Sequence, residues 1–206
     1  MRVTVIDYKA GNLASVLKAL RHLGVEAVVT DRDRAAVESA ERLVLPGVGH
    51  FAATERLDAT GLTGAARAII ARGVPFLGIC VGMQWLYAGS TEAEGTAGLG
   101  YFPQICVRFP EGVEKVPHVG WNSLEVQAGS RLMRGVESGE SVYFTHSYRA
   151  PVTDFTAATT EYLGRFSAAV ERDNVFGVQF HPEKSGATGL KILSNFLGMG
   201  REHDAC

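Results

Sequence analysis

The chain has 206 residues, 46% of them hydrophobic, which is enough apolar side chain to bury a full core in one α/β domain spanning 1–206. With 20 Lys and Arg against 22 Asp and Glu, a net charge of −2 and no basic run, it lacks the footprint of a nucleic-acid binder. The N-terminus has no long apolar signal segment, and no stretch approaches the roughly 18 apolar residues of a membrane span, so a cytoplasmic protein without membrane contact is expected. Cys80, Cys106 and Cys206 form no C-x-x-C pair, which argues against a disulfide framework and a zinc site. Neither a metal nor a cofactor is expected.

In chain order, RVTVI (2–6), EAVV (26–29), RLVLP (42–46) and VPFLGI (74–79) are short β-branched or apolar runs, the pattern of strands covered on both faces. Between them, 13–24 and 62–73 carry apolar residues at helical spacing and end in Gly24 and Gly73, placed to cap helix C-termini. This alternation predicts βα units on a parallel sheet. From about residue 100 the texture changes to QICVRF, SLEV, SVYFT, DFTAATT, FSAAVE and VFGVQF, separated by Gly, Pro, Asn and Asp, which predicts an added antiparallel or mixed section. A last helix over 186–198 presents Leu190, Leu193, Phe196 and Leu197 on one face. The fold class is α/β: an open, mostly parallel twisted sheet with flanking helices and an added antiparallel β section.

The stretch GICVG (78–82) ends one of these strands and opens a helix, the form of a nucleophile elbow. Gly78 and Gly82 remove side chains where strand and helix crowd, and a thiol at a helix N-terminus is favoured as thiolate. The amide of Val81 would point to where an oxyanion forms. A lone G-x-C-x-G is more often the mark of a small buried core thiol, so Cys80 needs a second signal.

That signal is VFGVQFHPEKS (175–185), in which an alternating strand runs into His181 and Glu183, two apart. Continued extended backbone would put both on one face, and Pro182 biases His181 toward it. A histidine beside a cysteine takes the thiol proton, and a carboxylate behind it holds its tautomer. Cys80, His181 and Glu183 are therefore a candidate triad, against a solvated loop ion pair or a Cys/His/Glu metal site. In LPGVGHF (45–51) a strand ends in Pro-Gly-x-Gly, a turn that can offer Val48 or Gly49 as a second oxyanion donor or be a plain tight turn.

GICVGMQ with the distant GVQFHPE resembles the triad-type glutamine amidotransferases. DYKAGNLASV, PGVGHF, PHVGWN (117–122), YFTHSY (143–148) and HPEKSG narrow the resemblance to the glutaminase subunits of imidazole glycerol phosphate synthases, over about residues 3–198. The departures are Val81 in place of Leu, His50 in place of Ala and Thr145 in place of Val. His50 places a titratable ring beside the oxyanion turn.

The resemblance implies the triad-type glutamine amidotransferase fold, with Cys80 as nucleophile, His181 as general base and later acid, and Glu183 as its orienting partner. It further implies that Gln84 and Glu92 contact the substrate L-glutamine, Glu92 at the α-amino group, while the backbone of Ser147 and Tyr148 holds the α-carboxylate. The ammonia released must reach an acceptor before it is protonated, and this chain has no acceptor site of its own. The family supplies a (β/α)₈ barrel synthase subunit, making a heterodimer whose interface would include Asn12, Trp121, Asn122, Tyr143 and Lys184. Trp121, read as part of a Gly-Trp-Asn turn, suits an interface anchor or a half-buried cap on the antiparallel strands. Rival readings are the glutaminase of another synthase such as anthranilate synthase, a cysteine hydrolase, and a binding module in which Cys80 only packs. Gly47 and Gly49 would let a peptide of the oxyanion turn rotate, a candidate gate on hydrolysis.

Overall fold

The computed structural model describes residues 2–9, 13–112 and 114–199. The first part alternates as expected: β1 (Val3–Ile6), α1 (Leu13–His22), β2 (Ala27–Thr30), α2 (Arg34–Glu38), β3 (Arg42–Gly47), α3 (Glu55–Ala59), α4 (Leu62–Ala71), β4 (Phe76–Cys80) and α5 (Val81–Gln84). A strand-rich part follows: β5 (Tyr87–Ser90), β6 (Phe102–Arg108), β7 (His118–Ser123), β8 (Glu125–Val126), β9 (Ser141–His146), β10 (Tyr148–Arg149), β11 (Thr156–Glu161), β12 (Arg165–Arg172) and β13 (Val175–Val178). Helix α6 (Gly186–Gly198) closes the described chain, on the bounds its apolar spacing predicts.

One sheet runs β2-β1-β3-β4-β13-β12-β11-β8. Its first five strands are parallel, and β12, β11 and β8 extend it antiparallel. Strands β1, β3, β4 and β13 are buried along their whole length, which is why they read as unbroken apolar runs. Strand β2 corrects the expectation of burial on both faces. It is the sheet edge, and Val28 and Val29 are exposed. A second sheet orders β10-β6-β5 and a third pairs β7 with β9.

The predicted helix stops are present. Gly24 and Gly73 lie at φ 76° and 83°, and in each case the following amide reaches back five residues, Val25 to Leu20 and Val74 to Ile69, closing the helix end. The PHVGWN segment is a further correction: Gly120, Trp121 and Asn122 are not a turn but the middle of β7, paired with Phe144, Tyr143 and Val142 of β9.

The placement that matters most is that of β13. It comes about a hundred residues after β4, yet pairs with it in parallel register, Gly177 opposite Gly78 and Val178 opposite Ile79. On the other side β3 pairs with β4, Gly47 opposite Cys80. Three neighbouring strands therefore end together, at the edge where α/β sheets place their ligands.

Candidate active site

At that edge Cys80 has φ 54° and ψ −110°, a backbone that side-chain-bearing residues rarely adopt and that costs of order 1–3 kcal/mol. A core thiol has no need of such strain. The two glycines around it make the elbow possible. A Cβ on Gly78 would stand 2.3 Å from the Gly82 carbonyl oxygen, and one on Gly82 would stand 1.8 Å from that of Leu45. The elbow helix corrects the expectation in one respect: α5 is a single turn of four residues before the chain enters β5, so the macrodipole behind the thiol is small.

His181 is reached by the strand from the other side. Its amide donates to the Tyr143 carbonyl at 2.9 Å, the Ser185 hydroxyl donates to the His181 carbonyl at 2.7 Å, and Ser185 Oγ accepts the Tyr143 amide at 3.0 Å, so β9 clamps the histidine loop. His181 Nδ1 and Glu183 Oε1 are 2.9 Å apart, both side chains buried. The route to this contact differs from the predicted extended one. Only His181 is extended, and Pro182–Lys184 form a 3₁₀ turn that folds the carboxylate back under the ring. Proline at the first position of that turn has no amide to leave unpaired.

Burial is the largest single influence on the His181 ring and opposes its charge. Charge and hydrogen-bonding interactions with Cys80 and with Glu183 together outweigh burial and raise its pKa to about 10. Nε2 has no aligned hydrogen bond at rest, Cys80 Sγ being turned to the Thr145 carbonyl 3.9 Å away. The arrangement can store the thiol proton on the ring and return it to a leaving group.

Around this centre Gln84 is buried rather than on a helix surface, and its Nε2 donates to the Tyr148 carbonyl and to Gln179 Oε1, both at 3.0 Å. Gln179 Nε2 in turn faces Cys80 Sγ at 3.7 Å. Sequence reasoning passed over Gln179; an uncharged polar residue inside an otherwise apolar buried strand end was the available signal. Glu92 Oε2 accepts the Phe51 amide at 2.8 Å, which ties the carboxylate to the turn after Pro46-Gly47-Val48-Gly49. In that turn Val48 is half-buried and Gly49, at φ 104°, is exposed, while His50 Nδ1 accepts the Ala52 amide at 3.2 Å. Ser147 spends its carbonyl on the Phe109 amide.

Three of the residues expected at a partner face lie together, Trp121, Tyr143 and Lys184. Trp121, 56% exposed, meets the Tyr143 ring edge-on at 6.0 Å, and Lys184 Nζ lies 5.6 Å over the same ring. Asn122 hydrogen-bonds inward to His118 and to the Glu161 carbonyl. Asn12 lies outside the described residues.

An α/β sheet with a strained cysteine at the end of a central strand, and a histidine–carboxylate pair at the end of its neighbour, is the framework of thiol-dependent acyl transfer. The chain belongs to the class-I glutamine amidotransferase family, whose profile ("Glutamine amidotransferase class-I") matches residues 4–199. It is 47% identical over 197 residues to the imidazole glycerol phosphate synthase subunit HisH of Caldanaerobacter subterraneus subsp. tengcongensis, covering 94% of this chain and 96% of the relative. It is 46% identical over 206 residues to the subunit of the same name from Syntrophotalea carbinolica, covering 96% and 100%. Among solved structures, a crystal structure of a glutamine amidotransferase superposes with a TM-score of 0.75 at 20% identity, covering 95% of this chain and 96% of that one. Among the described residues no helix is long and apolar enough to cross a membrane.

Proposed function

We propose that Cys80, His181 and Glu183 hydrolyse L-glutamine to glutamate and ammonia, in a chain that serves as the glutaminase subunit of an imidazole glycerol phosphate synthase in histidine biosynthesis. The observation that carries the chemistry is the positive-φ cysteine at the end of β4, with the strand beside it delivering a histidine backed by a buried carboxylate. The name shared by relatives along nearly the whole chain carries the pathway.

In this reading the Cys80 thiolate attacks the carboxamide carbon. The oxyanion is held by the Val81 amide and by that of Val48 or Gly49, and His181 gives its proton to the departing ammonia. The neutral ring then draws a proton from water, which attacks the thioester and releases glutamate. Glu183 keeps the ring in its tautomer throughout. Glu92 takes the α-amino group of glutamine, Gln84 lies along the substrate, and the backbone of Ser147 and Tyr148 receives the α-carboxylate.

Ammonia then passes to a (β/α)₈ barrel partner in a heterodimer. Trp121, with Tyr143 and Lys184 beside it, is an exposed aromatic anchor suited to such docking. Asn12 and Asn122 complete the proposed interface. The partner's ligand would switch hydrolysis on by biasing the Gly47–Gly49 turn. The reading treats 1–206 as one amidotransferase domain working in the cytoplasm. Its test is Cys80→Ala in the complex: glutamine hydrolysis is lost while synthesis driven by added ammonium survives. Loss of both activities would make Cys80 structural.

A further inference from the structure

Two buried histidines have no part in the chemistry above. His118 on β7 and His146 on β9 pair ring to ring, His118 Nδ1 to His146 Nε2 at 3.2 Å. At the outer end His118 Nε2 is 2.8 Å from Asn122 Oδ1, and at the inner end His146 Nδ1 is 2.8 Å from the Tyr148 carbonyl. That carbonyl is the one that also receives Gln84 Nε2, and Gln84 leads through Gln179 to Cys80 Sγ. A continuous chain of hydrogen bonds thus runs from a strand whose neighbouring Trp121 faces solvent to the nucleophile.

The proton count fixes the direction of most links. A carbonyl only accepts, so His146 must carry its proton on Nδ1. Burial keeps this ring neutral, with a pKa lowered to about 3, so its Nε2 accepts and His118 Nδ1 donates. Both amide hydrogens of Gln84 are used, on Tyr148 and on Gln179, and the Gln179 amide is left to donate to sulfur. Reversing any one of these would set two acceptors or two donors face to face.

The count closes everywhere except at the surface. With Oδ1 on His118 Nε2, Asn122 asks His118 for a second proton. With its amide turned over, Asn122 satisfies a neutral ring but sets Oδ1 against the Glu161 carbonyl that its Nδ2 now contacts at 3.0 Å.

We infer that His118 and His146 are positioning residues for the glutaminase reaction: they fix the Tyr148 carbonyl on which Gln84 hangs, and through Gln84 and Gln179 they hold the Cys80 thiol in line. The inference rests on the proposed glutaminase function. Packing alone does not account for the pair. Their rings sit among Phe109, Phe144, Tyr162 and Phe166, where apolar rings would fill the space without polar atoms needing partners. A misplaced reacting group costs turnover more than affinity.

The test is made in the full complex with the barrel subunit and its ligand. His118→Phe keeps the stack on Phe144 and Tyr162 (ring centroids 4.9 and 3.9 Å in the parent) and deletes both hydrogen bonds. We expect kcat for glutamine hydrolysis to fall about tenfold, equivalent to about 1.4 kcal/mol, with KM within about twofold. Partner affinity and ammonium-driven synthesis should stay unchanged. His146→Leu should behave likewise, whereas His146→Asn, whose amide can donate to the Tyr148 carbonyl from near the Nδ1 position, should recover most of the rate.

Turnover at the parent level in both His118→Phe and His146→Leu would overturn the inference, as would equal losses in the Leu and Asn variants. A parent complex that itself releases no glutamate would instead overturn the functional reading on which the inference stands.

Discussion

Replacing Glu183 by Gln removes one charge and little else. The carboxylate is buried, with Oε1 on His181 Nδ1 at 2.9 Å and Oε2 without a partner. A glutamine can present its oxygen to the same ring nitrogen, so the tautomer is kept, and its amide group occupies the place where Oε2 was unpaired. What is lost is attraction between a carboxylate and the imidazolium that forms when the thiol is deprotonated. Two unit charges about 4 Å apart at an effective dielectric near 20 attract by about 4 kcal/mol. At about 1.4 kcal/mol per decade that is a loss of roughly a thousandfold in turnover. The assay is glutamate release by the ligand-bound complex, with ammonium-driven synthesis as the control that should not move. Cys80→Ala should cost several decades more, because triad members act as a unit but not equally. A Glu183→Gln complex as fast as the parent would remove the carboxylate from the mechanism. One as inactive as Cys80→Ala would show that Glu183 does more than hold charge and orientation.

Three further outcomes follow from the site. His181, with its pKa raised to about 10 against burial by Cys80 and Glu183, should remain an imidazolium through pH 8 in the nitrogen NMR spectrum of histidine-labelled protein. Because its folded value lies above the unfolded one, its contribution to stability is complete below about pH 6.5 and fades as pH climbs through about 10; titration of the ring near 6.5 would contradict the pairing. Gly82→Ala, whose Cβ would meet the Leu45 carbonyl at 1.8 Å, should cost at least about 1–3 kcal/mol in a denaturant titration. Gly64→Ala, exposed on α4 with nothing within 4 Å, should instead stabilise by about 0.5–1 kcal/mol, and equal effects would refute the elbow geometry. Gly49→Pro cannot hold the φ of 104°, so it should leave assembly intact while ligand-stimulated hydrolysis falls about a hundred- to a thousandfold.

Local chemistry in the sequence was legible wherever neighbours along the chain decide the structure. Gly24 and Gly73 marked helix ends because only the next residues are involved. Gly78 and Gly82 marked the elbow because strand and turn crowd each other within five residues. His181 and Glu183 were readable as a pair for the same reason, although the 3₁₀ turn that joins them was not, since Pro182 fits both an extended segment and the first position of a turn. What the sequence did not carry is order across the sheet. Nothing in VFGV says that it pairs beside β4 rather than continuing the antiparallel section, and it is this pairing that brings His181 to Cys80. The same holds for β2, whose apolar residues read as core but lie at the edge. It holds also for Gln179, His118 and His146, whose roles depend on partners 28 to 99 residues away.

In the proposed reaction Cys80 is a nucleophile addressed by glutamine. The most direct measurement is to treat the complex with an electrophilic glutamine analogue, with and without excess glutamine, and locate the adduct by peptide mass spectrometry. One adduct is expected, on Cys80, that glutamine prevents and that Gln84→Leu diminishes. An unmodified Cys80, or an adduct on another residue that glutamine does not suppress, would contradict it.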